Sequence, residues 1–225
     1  MSSMQELSID SVTHRFNEKT TLNGVYLNCR MGEVVGLLGR NGSGKSTLLK
    51  AIFGSLNVDF KHLKVNGEIF SKGYLSGKIA YLTQHNFIPN KLKVKDAIEI
   101  FCIRHKEAVV QIPFIAENLK KQFRDFSGGE NRLLEALIII YSDADFVLLD
   151  EPFSQLAPLL VDEVKQHINQ MRAFKGFIVT DHYYRSILDI SDRVVLLHNG
   201  CNYKIDGSDD LILHGYLPKG YQEFP

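Results

Sequence analysis

Cysteine is scarce in this chain, neither sign of charge prevails, and no long apolar run occurs. The three cysteines, Cys29, Cys102 and Cys201, are far apart and odd in number. They form neither a metal-ligand spacing nor a redox pair, which leaves reduced thiols in a reducing compartment. Lys and Arg total 26, matched by 26 Asp and Glu. That balance, with a pI near 7.1, argues against a broad basic surface, so no nucleic-acid partner is expected. The longest apolar segment, 133–141, is interrupted by Glu135 and is far shorter than the roughly 20 residues that cross a bilayer. The first residues, Met1 to Ser8, have neither a basic start nor an apolar stretch, and no signal peptide is expected. The reading is a globular cytoplasmic chain; if it works at a membrane, something else anchors it.

What is present is an alternation of β-rich and helical patterns over 225 residues, ample for a hydrophobic core. Strands are expected over 7–16, 20–29, 34–38, 63–70 and 78–83. A helix is expected from Gly44 toward Gly54, burying Leu48, Leu49, Ile52 and Phe53 at helical spacing. From 94 to about 124 the pattern is helical, with Pro113 dividing it into short pieces. A helix to about Tyr141, a strand over 146–149 and a helix burying Leu160, Val164, Ile168 and Met171 follow. Then come a strand over 177–180, a short helix and a strand over 193–198, after which Asn199-Gly200 turns into a last strand. Such alternation makes an α/β core.

Gly39-Arg40-Asn41-Gly42-Ser43-Gly44-Lys45-Ser46 fits the complete G-x-x-x-x-G-K-[ST] pattern between an apolar strand and a helix, with Thr47 next in line. Glycines let the backbone wrap phosphates closely and present N–H donors at a helix N-terminus. Lys45 supplies a point charge to the β- and γ-phosphates, and the Ser46 hydroxyl can ligate Mg²⁺. Downstream, the apolar run Phe146 to Leu149 ends in Asp150-Glu151-Pro152. Side chains alternate along a strand, so these adjacent acids can take different tasks. Asp150 is expected to hold Mg²⁺, and Glu151 to orient and polarise the attacking water as general base.

Between these motifs lies Phe126-Ser127-Gly128-Gly129-Glu130. It resembles the LSGGQ signature of ABC-type ATPases, and the resemblance extends over nearly the whole chain, from about Leu7 to Ile205. It implies a P-loop NTPase (RecA-like) core with an antiparallel β subdomain and an inserted α-helical subdomain. The chain is then one ABC ATPase domain: 1–84 and 143–225 as nucleotide core and β subdomain, 85–142 as helical signature subdomain. Phe16 occupies the place of the aromatic that stacks on adenine, with a core residue as the lesser alternative. Gln84 is similar to the glutamine that touches Mg²⁺ and links core to helical subdomain. His182 matches the switch histidine that contacts the γ-phosphate.

The family resemblance further implies ATP and Mg²⁺ as cofactors, and a head-to-tail dimer, more simply of two identical chains. In that dimer Ser127, Gly128 and Gly129 of one subunit face phosphates held by the other. Separate transmembrane permease subunits would be the driven partners, docking near Phe87, Ile88 and Pro89, with this chain on the inner face of the membrane. Two departures stand out: Glu130 replaces the usual glutamine, and Ala157 replaces an aspartate that helps couple the two sites. A soluble ABC-type ATPase serving cofactor assembly or regulation is the alternative reading.

Overall fold

Strands buried on both faces show in the sequence as unbroken apolar runs, and the central sheet is built from them. In the computed structural model, which describes residues 5–16 and 19–218, all five residues of β3 (Val34–Leu38), β7 (Phe146–Asp150) and β8 (Gly176–Thr180) are buried. With β6 (Ile79–Leu82), β9 (Arg193–His198) and β10 (Cys201–Ile205) they form a six-stranded sheet in the order β10-β9-β3-β8-β7-β6. Its pairings are parallel except at the β10 edge, which returns antiparallel through Asn199-Gly200.

Period-two alternation assigns each side chain to one of two cores. Val35, Leu37, Phe146 and Leu148 face a core shared with α1 (Lys45–Phe53) and a four-stranded antiparallel sheet. That sheet has the order β2-β1-β4-β5, from β1 (Glu6–Phe16), β2 (Lys19–Arg30), β4 (Phe60–Val65) and β5 (Glu68–Ile69). Val34, Leu38, Val147 and Leu149 face the opposite core, where the other helices pack.

Between β6 and β7 the chain forms α2 (Val94–Phe101), α3 (Lys106–Val110), α4 (Pro113–Ala116) and α5 (Gly128–Ile140). Pro113 stands at the first position of α4, where its missing N–H costs nothing. Every residue of α5 from Asn131 to Ile140 is buried, so it is the central helix of its core. Then come α6 (Pro158–Met171), α7 (Tyr184–Ile190) and α8 (Ser208–Leu213). Cys29 and Cys102 are buried free thiols, and burial pushes the Cys102 thiol up to about 12. Neither is a reactive group in the folded chain.

One detail differs from the sequence reading, and the structure adds two that it left open. The expected strand over 63–70 is a hairpin, because Asn66 and Gly67 both take left-handed conformations (φ 53° and 84°) and turn β4 into β5. The tail after Gly207 holds α8, seated by buried Leu211 and Leu217. Of Phe87, Ile88 and Pro89, Ile88 is buried and Phe87 half-buried against Phe101, which leaves only Pro89 exposed.

Candidate nucleotide site

The loop from β3 to α1 closes around its own glycines. A side chain at Gly39 would come within 2.7 Å of the Leu197 carbonyl oxygen, and Gly44 caps α1 at φ 105°. Both positions require glycine. Lys45 Nζ donates to the Gly39 carbonyl (2.7 Å) and the Arg40 carbonyl (3.4 Å), which holds the ammonium against the loop. Burial pushes its pKa down, opposed by the charges of Glu151, Asp150 and Asp181.

Asp150 ends β7 on the α1 side of the sheet. Ser46 Oγ donates to its Oδ1 (3.1 Å) and the Tyr81 hydroxyl to its Oδ2 (3.0 Å). Burial raises the Asp150 pKa, while these two hydrogen bonds oppose the rise. Glu151 turns away in a left-handed conformation (φ 55°), with its N–H donating to the Thr180 carbonyl at 2.7 Å. One oxygen of its carboxylate accepts from Gln84 Nε2 (3.1 Å), and the other is 2.8 Å from His182 Nε2. The two acids thus have separate partners: Asp150 is the last residue of β7, and the left-handed backbone at Glu151 sends its carboxylate elsewhere.

Around this pair lies a shell that the sequence reading passed over. The Arg132 guanidinium, buried on α5, donates to the carbonyls of Thr83 (2.6 Å), Asp150 (2.6 Å) and Glu151 (2.8 Å). Three residues on, Glu135 accepts from the N–H groups of Phe87 (2.9 Å) and Ile88 (3.0 Å). Asp181 accepts from the N–H groups of Phe153 (2.9 Å) and Tyr183 (3.0 Å), which fixes the backbone on both sides of His182 and Glu151. Charged residues interrupting an otherwise apolar helix were the available signal for Arg132 and Glu135. Tyr81 carried none, since a tyrosine in a strand reads as core.

These groups enclose a cavity of about 340 Å³ lined by Asn41, Gly42, Ser43, Gly44, Lys45, Ser46 and Thr47 together with Thr21, Gln84, Glu151 and His182. A second cavity of about 500 Å³ shares Thr21, Asn41, Gly42 and Ser43 with it and adds Lys19, Arg40 and His198. Phe16 pairs across the strands with Lys19 and is 67% exposed, which removes the core reading of this residue. Neither cavity is lined by Ser127, Gly128 or Gly129, which open α5 elsewhere. There Ser127 and Glu130 exchange a capping box, Glu130 Oε2 accepting from the Ser127 N–H at 2.8 Å. The hydrogen bonds with Ser127 lower the Glu130 pKa, so a carboxylate suits this position as well as an amide. Ala157 is the exposed N-cap of α6 and offers it no side-chain hydrogen bond.

Among the described residues no group of three or more His, Cys, Asp or Glu is placed to hold a metal ion. The site still fits Mg²⁺, which takes one or two protein oxygens and completes its shell with water and phosphate. The Ser46 hydroxyl and Asp150 carboxylate, in contact beside the phosphate loop, are such a donor pair. Gln84 turns its amide nitrogen to Glu151. Among the described residues no helix is long and apolar enough to cross a membrane.

A family model described as ABC transporter matches residues 22–154. An uncharacterised ABC transporter ATP-binding protein of Rhizobium meliloti is 32% identical over 206 residues, covering 84% of this chain and 76% of the relative. The lipopolysaccharide export system ATP-binding protein LptB of Escherichia coli K12 is 28% identical over 213 residues, covering 88% of each. Among solved structures, an ATP-binding subunit of an ABC transporter superposes with a TM-score of 0.80 at 21% identity, covering 93% of both chains. A nucleotide-free ATP-binding cassette gives 0.78 at 19% identity, covering 96% of this chain and 97% of the other. The phosphate loop, the divided acidic pair and these likenesses together place the chain in the ABC transporter family, as an ATP-binding subunit.

Proposed function

We propose that this chain binds ATP with Mg²⁺, hydrolyses it within a head-to-tail dimer, and so powers transport through separate transmembrane subunits at the inner face of a membrane. The observation that carries the reading is Glu151. It is held in a left-handed conformation at the cavity wall, with its carboxylate between Gln84 and His182. Residues kept in sparsely populated conformations cluster at functional sites.

Phosphates enter where the loop amides and the α1 N-terminus point, and Lys45 exchanges its carbonyl partners for phosphate oxygens. Adenine and ribose lie toward the second cavity, against exposed Phe16. Ser46 and Asp150 would hold the magnesium, which neutralises charge on the β- and γ-phosphate oxygens. Glu151 orients a water in line with the γ-phosphorus and takes its proton. The new P–O bond forms as the bond to the β-phosphate oxygen breaks, leaving ADP and phosphate. His182 steadies the Glu151 carboxylate and meets the γ-phosphate.

Ser127, Gly128 and Gly129 reach no phosphate of their own subunit's cavity, so each site is completed by the second copy. Residues 85–142 are then the helical signature subdomain of one ATPase domain. Relatives named as transporter ATP-binding proteins support transport over a soluble assembly role.

A Glu151→Gln variant should keep ATP affinity and lose about a hundredfold or more in steady-state hydrolysis, the usual weight of a general base. It should also accumulate as an ATP-bound dimer. Turnover equal to wild type would remove Glu151 from its assigned role.

A further inference from the structure

The end of the described chain touches the phosphate loop and the segment just after His182 through two adjacent residues. Arg40, in the phosphate loop, donates from Nη2 to the carbonyl of Gly215. The next residue, Tyr216, packs its ring edge-on against Tyr184 at 6.3 Å between centroids. Tyr184 begins α7, and its N–H donates to the His182 carbonyl at 2.9 Å.

Gly215 has a left-handed backbone (φ 67°), and it is at this residue that the chain meets Arg40 and passes on to Tyr216. The dipeptide is itself anchored. Tyr216 and Leu217 N–H groups donate to the Leu211 carbonyl at 2.8 and 3.1 Å, and the side chains of Leu211 and Leu217 are buried. Burial pushes the Tyr216 hydroxyl up, and the charges of Tyr184 and Asp181 add to it, as expected for a phenol tucked beside the switch segment. Between this strap and α7 remains a cavity of about 220 Å³, lined in part by Tyr184, Leu188, Leu211 and Leu217. Ile187 and Ile190 seat α7 on the core, and the Tyr184–Tyr216 pair adds an aromatic contact at its start.

We propose that Gly215-Tyr216 is a positioning element that ties the phosphate loop, through Arg40, to the His182 switch, through Tyr184, so that a phosphate-filled loop holds His182 against Glu151. This rests on the ATPase reading above and adds a residue to it. Tyr216 lines neither nucleotide cavity. It acts through Tyr184, so its loss lowers turnover without loosening nucleotide.

The test is steady-state ATP hydrolysis and ATP affinity of the purified full chain carrying Tyr216→Ala, Tyr216→Phe or Tyr216→Leu. Tyr216→Ala should lower kcat about fivefold to tenfold, the ordinary size of a coupling between sites, with Kd for ATP within about twofold of wild type. Tyr216→Phe should restore wild-type kcat, because the contact is made by the ring. Tyr216→Leu fills the volume without an aromatic edge, so it tests the contact if the alanine variant fails to fold. It should be as slow as Tyr216→Ala. Combining Tyr216→Ala with Arg40→Ala should lower kcat no further than the slower single variant, since one tie is cut twice. Folded Ala and Leu variants with wild-type kcat, or multiplicative losses in the double variant, would overturn the proposal. Wild-type hydrolysis and its loss in Glu151→Gln serve as the control. If those fail, the ATPase reading itself falls; if they hold while the Tyr216 variants behave as wild type, only the strap falls.

Discussion

At the scale of single residues, the least comfortable backbone in the site belongs to Glu151. A left-handed conformation costs a non-glycine residue about 1–3 kcal/mol and persists where neighbours over-determine it. Here its N–H is taken by Thr180, its carbonyl by Arg132, and its carboxylate by Gln84 and His182. Arg132 is the central member, because one guanidinium serves carbonyls from two strand ends. Burial lowers the Arg132 pKa, and nearby Glu135, Asp150, Asp181 and Glu151 compensate. Arg132→Met keeps the length and removes every donor. Two buried carbonyls and one part-buried carbonyl then lose a partner at roughly 1 kcal/mol each, for about 3 kcal/mol of stability in urea unfolding. Hydrolysis should fall as well, because Glu151 is no longer held. An Arg132→Met protein as stable and as active as wild type would show that the bonds to these carbonyls are dispensable.

At the scale of elements, the two helix starts differ. Ser127 and Glu130 cap α5 reciprocally, whereas α6 begins at Ala157 with no cap beyond Pro158. Ala157 already has the extended backbone of an N-cap (φ −66°, ψ 152°), so Ala157→Asp should stabilise the chain by about 1 kcal/mol in urea. The resemblance to the family assigns an aspartate at this position a part in coupling the two sites. Ala157→Ser separates the two effects, because a hydroxyl caps equally well without a charge. If capping is all that is missing, both variants gain stability and neither changes ATP turnover or its dependence on ATP concentration. A change confined to Ala157→Asp would assign the carboxylate to coupling between sites.

At the scale of the whole molecule, one chain is an incomplete enzyme on this reading. The cavity is lined by the glycine-rich loop, Glu151 and His182, while the serine and glycines that open α5 lie outside it. In the proposed dimer a second copy, turned head to tail, brings that helix N-terminus to the phosphates. Light scattering tests this in the Glu151→Gln background, where ATP should double the mass. Adding Ser127→Arg should abolish the doubling, because a long side chain fills the space meant for phosphate, and ATP binding by the monomer should remain. A dimer that survives this substitution would mean that the α5 N-terminus does not form the interface.

The layout of the candidate site was legible in the sequence wherever it is carried by contiguous residues. The glycine-rich loop leads straight into α1, the two acids stand together at the end of β7, and the signature motif is one helix start. The sheet strands were legible too, since burial on both faces leaves an apolar run; the β4–β5 turn was missed although Asn66-Gly67 signalled it. What the tertiary structure decided is everything that depends on pairs distant in the chain. Tyr81 meets Asp150 across neighbouring strands, Arg132 reaches back 49 residues to Thr83, and Arg40 finds Gly215 from 175 residues away. Tyr81 and Arg40 are ordinary where they stand in the sequence, and Arg132 shows there only as a charge in an apolar helix, with no sign of its partners. Their meaning comes from which carbonyl or carboxylate the packed core brings within hydrogen-bond reach, and local sequence carries no record of that distance.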